Sequence, residues 1–235
     1  MNTRTLLIAS ALLTASLISG AAQAALYDRG GGLIYDDVLN VTWLQDANYA
    51  KTSGHNSEGR MVWGDATSWA DNLSYYDSVR DVTYDDWRLP KVSPVNGVNF
   101  NYDYSFDGST DVGHNITSIS SELSYMFYIN LGNSYVAGDC SASPGTCLNN
   151  TGPFMNLFSE LYWSGTEYKP GTNHGWLFYM PIGVQGGYVE DNFPYYAWAV
   201  RDGDVAAVPE ASTYVMMLAG LGLVGAMARR RKIVK

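Results

Sequence analysis

Four short runs decide the fold class: Tyr162-Trp163-Ser164, Trp176-Leu177-Phe178-Tyr179-Met180, Tyr188-Val189 and Ala197-Trp198-Ala199-Val200-Arg201. Each is rich in aromatic or aliphatic side chains and bounded by turn residues, with Gly186-Gly187 as the turn ahead of the third, which predicts antiparallel strands. Upstream, Leu33-Ile34-Tyr35 and Val41-Thr42-Trp43-Leu44 flank Asp36-Asp37 and Asn40 and predict a hairpin. Trp87-Arg88-Leu89 reads as a short strand stopped by Pro90. Two helices are expected. In the first, Asp65 is the N-cap and Ala66, Trp69, Ala70 and Leu73 recur at helical spacing. The second has Ser120 as cap, Glu122 in its first turn, Leu123, Met126, Phe127 and Leu131 on one face, and Gly132 as its stop. Residues 93–118, rich in Asn, Asp, Ser, Gly and Tyr, read as a long loop. A hairpin, two helices and a strand-rich half make a single α+β domain.

That domain accounts for only part of the 235 residues. At the N-terminus one early positive charge, Arg4, precedes an apolar run from Leu6 to Ile18 and the sequence Ala22-Gln23-Ala24. This predicts a signal peptide, residues 1–24, cleaved between Ala24 and Ala25 by signal peptidase. At the other end an apolar segment, 212–228, is followed by Arg229, Arg230, Arg231, Lys232 and Lys235. At 1.5 Å per residue it reaches roughly 25 Å as a helix, enough for a thin bilayer, with its basic end cytoplasmic. Gly220-Leu-Gly222-Leu-Val-Gly225 inside it is formally G-x-G-x-x-G, but no strand precedes it, so it reads as helix packing and not as a nucleotide site.

The formal charge of −9 hides an asymmetry, because residues 25–210 carry 8 Lys+Arg against 23 Asp+Glu, a net −15. The globular part therefore repels nucleic acid and anionic surfaces and suits cations or neutral glycans. With 46% hydrophobic, 16% charged and 14% aromatic residues, wholesale disorder is excluded. Cys140 and Cys147 bracket a turn-forming loop, and in an exported chain they predict a disulfide.

The C-terminal tail resembles the PEP-CTERM sorting signal of Gram-negative bacteria that make exopolysaccharide. Val208-Pro209-Glu210, Ser212-Thr213-Tyr214, Leu221-Gly222-Leu223 and the Arg229–Lys232 cluster carry the resemblance, and Ala211 departs from it where the family has proline. The resemblance makes residues 209–235 a sorting segment with Pro209, Glu210, Arg229, Arg230 and Arg231 as its motif. It implies an inner-membrane-anchored precursor, exosortase as partner, and release to the cell surface or extracellular matrix.

Residues 25–208 carry a second resemblance. Asp28-Arg29-Gly30-Gly31-Gly32-Leu33-Ile34-Tyr35-Asp36, Trp43–Ala50, Asp86-Trp87-Arg88-Leu89-Pro90, Ser121-Glu122-Leu123, Tyr162–Glu167 and Ala197–Arg201 look like the Lcl C-terminal-like domain family. That resemblance implies a C-type-lectin-like fold and glycan binding at surfaces, and it implies no catalytic residues.

Candidate chemistry is sparse. Asp103, Ser105, Asp107 and Asp111 place oxygen ligands at alternate positions around Gly108, like the front of a calcium loop, so calcium is the candidate cofactor. His114 stands where an EF-hand has its glutamate, which excludes that motif. Asp46, Asn48 and Glu58 form a weaker second cluster. His55, His114 and His174 are scattered, without a zinc or nucleophile motif. The adjacent pairs Asp36/Asp37, Asp85/Asp86 and Glu190/Asp191 would point to opposite faces if on strands. Trp163, Trp176, Tyr195 and Tyr196 are the candidate ligand-stacking aromatics, whereas Trp198 and Val200 share a face expected to be core. The expectation is a non-enzymatic, surface-sorted module that binds glycan or exopolysaccharide. A structural or adhesive matrix protein without a specific ligand is the alternative, and a cation-dependent hydrolase the third.

Overall fold

Neighbouring residues of the central strands bury themselves on opposite faces, and this sets the architecture. In the computed structural model, which describes residues 25–135, 147–169, 174–187, 193–205, 219 and 221, strands predominate. The first half of the chain forms β1 (Leu26–Asp28), β2 (Leu33–Asp36), β3 (Val41–Leu44), α1 (Tyr49–Thr52), β4 (Arg60–Met61), α2 (Trp63–Asp71), β5 (Tyr75–Asp77), β6 (Val82–Tyr84) and β7 (Trp87–Arg88). The second forms β8 (Tyr104–Ser105), β9 (Val112–Gly113), α3 (Glu122–Tyr125), β10 (Leu161–Glu167), β11 (Gly175–Tyr179), β12 (Val184–Gly187), β13 (Tyr195–Tyr196) and β14 (Val200–Asp202). One sheet runs β1-β2-β3-β14-β7, a second β4-β13-β10-β11-β12-β9-β8, and β5-β6 pair alone.

Two cores lie on either side of these strands. Ile34, Trp43, Tyr162, Phe178, Trp198 and Val200 enter one; Leu33, Leu44, Trp163, Leu177, Ala197 and Ala199 enter the other. A period-2 backbone buried on both faces explains why Ala197-Trp198-Ala199-Val200 is a continuous buried run. Each core has a helical cover. Leu123, Met126, Phe127 and Leu131 cover the first, and Ala66, Trp69, Ala70 and Leu73 the second, as their spacing predicts. Four tryptophans (Trp43, Trp163, Trp176 and Trp198) are fully buried. Each such burial stabilises the fold by about 3 kcal/mol relative to exposure.

Several boundaries differ from expectation. The α2 helix starts at Trp63 with Val62 as its cap, leaving Asp65 in the first turn, where its charge still favours the helix dipole. The cap of α3 is Ser121, and after Tyr125 the helix widens into a π turn, Met126–Asn130, closed by Leu131 N–H to the Met126 carbonyl at 2.9 Å. Gly132, at φ +63°, ends it. Gly186-Gly187 is not a turn but strand, paired with Leu177 and Trp176. Glycine is required at 187 because a Cβ there would enter the Tyr168 ring. Pairing is also not purely antiparallel, since β8–β9 and β10–β13 run parallel. Tyr188-Val189 and Cys140 lie outside the described residues, and with Cys140 the expected disulfide; Cys147 is buried.

Three of the six sequence blocks of the second resemblance meet at one node. Arg88 donates from both terminal nitrogens to the Glu122 carboxylate at 2.8 Å, and through Nε and Nη2 to Asp202. Lys91 N–H donates to Glu122 Oε2 at 2.6 Å, and Glu122 N–H returns a bond to the Lys91 carbonyl. The Pro90 carbonyl accepts from Ser164 Oγ and Gly165 N–H, while Thr166 Oγ1 accepts from Val92 N–H. Trp-Arg-Leu-Pro, Ser-Glu-Leu and Tyr-Trp-Ser-Gly-Thr are therefore architectural: they join the two sheets and α3.

Both ends of the domain are tied down. Ala25 N–H donates to Asp37 Oδ1 at 3.0 Å, and Asp37 N–H to the Ala25 carbonyl. At the exit, Gly203 N–H donates to the Asn40 carbonyl, Arg29 grips Asp204 at 2.9 and 2.6 Å, and Val205 is buried.

Candidate functional site

Residues 93–118 are an ordered construction, and the Asp-rich stretch is what orders it. Asp111 is buried, its Oδ1 accepting from Val95 N–H and its Oδ2 from Asn101 N–H, both at 2.7 Å. Gln185 Nε2 binds the Asp111 carbonyl and Ser121 Oγ, fixing the loop to β12 and α3. Ser105 Oγ accepts from Thr110 Oγ1, and Asp107 Oδ1 from Ser109 N–H; the Ser109 hydroxyl first, and this N–H second, hold the Asp107 carboxyl below its ordinary value. Asp103 lies on the exposed rim. Among the described residues no three His, Cys, Asp or Glu side chains gather as metal ligands. Of the Asp103, Ser105, Asp107 and Asp111 set, Asp107 and Asp111 are deployed as turn acceptors for backbone N–H groups, and Ser105 accepts from a neighbouring hydroxyl.

The loop so held presents aromatics. Tyr102, Tyr104 and Phe106 are 37%, 51% and 63% exposed, unusually high for such side chains. Tyr104 lies on β8, with Tyr102 before the bend at Asp103 and Phe106 just after the strand. The Phe106 ring stacks over His114 (14°, 5.4 Å between centroids), His114 stacks on Tyr135 at 3.5 Å, and Tyr104 meets Phe106 edge-on at 5.2 Å. His114 is buried, its Nδ1 3.1 Å from the Ile182 carbonyl, and burial pushes its pKa down. Tyr102 stacks at 15° on Trp176, which Phe100 and Tyr168 also flank. The result is a partly exposed aromatic strip backed by a rigid second layer.

Sequence reasoning named four other aromatics for this role. Trp163 is core, its Nε1 donating to the Met61 carbonyl at 2.7 Å, and Tyr196 is buried against Tyr162. Trp176 is fully buried, yet it is brought to the site as the support under Tyr102. Tyr195 is half-buried and lines an apolar hollow of about 330 Å³ with Leu161, Leu177, Tyr179 and Val184. Large aromatics on long strands are drawn into the cores, whereas those on a polar loop between Asp and Ser turns cannot be. The Tyr102-x-Tyr104-x-Phe106 alternation was the signal that could have found the strip.

The second functional element is the tail. Residues 207–232 match the PEP-CTERM protein-sorting motif. The match gives the chain an exosortase sorting signal, which indicates an exported protein. No curated protein and no solved structure matches it. Pro209, Glu210 and Arg229–Arg231 lie within the match but outside the described residues, as does Ala24; Ala25 is the first described residue. Of the expected span 212–228, only Ala219 and Leu221 are described, and among the described residues no helix is long and apolar enough to cross a membrane.

Proposed function

We propose that this exported protein is a non-catalytic module that binds neutral glycan of the extracellular polymer layer through the Tyr102–Tyr104–Phe106 strip. The observation that carries the reading is the exposure of three aromatic rings on alternate residues, braced by His114 and Trp176. Flat apolar faces with polar tips suit the C–H faces of sugar rings. The surplus of acidic groups disfavours anionic polymers, and sorting delivers the module where neutral ones are found. The same reading takes residues 1–24 as a signal peptide and the Cys140–Cys147 pair as a disulfide. It takes the C-type-lectin-like class as the origin of the interlocked Trp-Arg-Leu-Pro and Tyr-Trp-Ser-Gly-Thr blocks.

The test is affinity electrophoresis of the purified protein in gels containing neutral polysaccharide. Tyr104→Ala and Phe106→Ala should each weaken binding about 5- to 30-fold, the equivalent of ~1–2 kcal/mol, with little change in melting temperature. Equal retardation of wild type and both variants would sink the proposal. Turnover of a polymer, lost on changing one Asp or Glu, would make the protein an enzyme.

A further inference from the structure

A further cleft lies on the other side of the molecule, at the opposite edge of the second sheet. It measures about 630 Å³ and opens between the turn after α1 and the outer face of α2. Its floor is apolar, formed by Met61, Trp69 and Leu73. One wall is a polar stripe, Asp65, Ser68 and Asn72, at positions i, i+3 and i+7 of the helix and its cap. The other wall brings the His55 ring to 6.4 Å from Trp69.

The stripe is chemically unspent. The Asp65 carboxylate and the Ser68 hydroxyl make no hydrogen bond to a side chain or backbone group of the described residues, although Asp65 lies one turn from Trp69. Asn72 uses its amide N–H on the Ser68 carbonyl at 2.8 Å, which leaves its oxygen as an acceptor. An acceptor, a hydroxyl and another acceptor therefore follow the helix axis at turn spacing. That pitch is about 5.4 Å, close to the repeat of one pyranose along an extended glycan. No Lys or Arg lines the cleft, so it offers no permanent positive charge to sulfate, phosphate or uronate.

We propose that this cleft is a second binding site, for two to three residues of a neutral, extended polysaccharide lying along α2, so that one domain bridges two polymer chains. The proposal rests on the polymer-binding reading of the aromatic strip and adds a site to it. The placement is what makes bridging geometric: Met61 of the cleft is on β4 and Tyr104 of the strip on β8, the two ends of the seven-stranded sheet. Six interstrand spacings of ~4.8 Å separate them by about 29 Å along the sheet, so an oligosaccharide of two or three residues does not reach both.

The experiment is calorimetric titration of the purified protein with neutral β-linked hexose oligosaccharides of two to six residues, with turbidity of the long polymer in parallel. Asp65→Ala/Ser68→Ala removes two exposed groups that make no hydrogen bond among the described residues, and should lower the melting temperature only by the small loss of the Asp65 charge in the first turn of α2. Two oligosaccharides per wild-type domain are expected, with affinity at the cleft levelling off by the trisaccharide. The Asp65→Ala/Ser68→Ala variant and Phe106→Ala should each bind one, and both should lose polymer cross-linking while still binding polymer. One oligosaccharide per domain, abolished by Phe106→Ala alone, overturns the cleft and leaves the strip standing. One per domain, abolished by Asp65→Ala/Ser68→Ala alone, overturns bridging and the strip together. Binding that neither variant alters, or none at all, overturns both.

Discussion

His114 shows how one side chain can serve a surface it does not reach. Its imidazole lies between Phe106 and Tyr135, buried, with a single polar contact to the Ile182 carbonyl, and burial favours the neutral ring. Its folded pKa is thus below the unfolded value near 6.5, so the unfolded chain binds the proton first. Stability should be fully present above pH ~6.5 and decline as pH falls below it, and the aromatic strip should loosen with it. Urea denaturation at pH 7.5 and 5.5 measures this; His114→Phe, which keeps the stack, should flatten that part of the profile. Arg88 is the other residue on which much depends. Its bidentate pair with Glu122 is mostly buried, with side-chain exposures of 17% and 10%. Removing the guanidinium strands a buried carboxylate, so Arg88→Met should cost ~2–4 kcal/mol, read from the urea midpoint, while Arg60→Met, whose pair with Glu160 is exposed and 3.8 Å long, should cost well under ~1 kcal/mol.

Elements were legible in the sequence where one period dominated them. The β2–β3 hairpin and the buried stripes of α2 and α3 emerge at the expected residues, because alternation or helical spacing suffices to bury their apolar positions. The π turn was not legible, since nothing local in Met126–Asn130 distinguishes it from an α-helix; the Asn130 amide reaches the buried Asp36 carboxylate of the hairpin across the structure. Nor could Gly186-Gly187 be recognised as strand, because the reason for glycine at 187 is a ring, Tyr168, nineteen residues away. The candidate site was legible as composition: the Asp-Ser alternation marks the ordered loop, in which backbone amides bind Asp111 and Asp107, bonds that a spacing pattern does not reveal. Gly113 tests whether β8–β9 holds the strip. It adopts φ +129° with the Ser105 backbone where a Cβ would lie. Gly113→Ala should cost ~2 kcal/mol or more and weaken polysaccharide binding as strongly as Phe106→Ala, although it touches no ligand. Unchanged binding in a stably folded Gly113→Ala protein would separate the strip from the strands beneath it.

For the molecule as a whole, folding and sorting should be separable. The two cores and both tied ends fall within residues 25–205, and the sorting match begins at 207. A chain ending at Val208 should unfold at the same temperature as the processed protein, yet fail to be retained at the surface, as cell fractionation would show. A drop of several degrees would mean that the tail contributes to the fold. The closeness of the two parts has a further meaning. Arg29 clamps Asp204, Val205 is packed inside, and Pro209 follows four residues later. Four residues span at most ~14 Å even when fully drawn out. If exosortase meets its motif on the folded protein, it does so close against the Arg29–Asp204 corner, the last anchor of the described domain before the match.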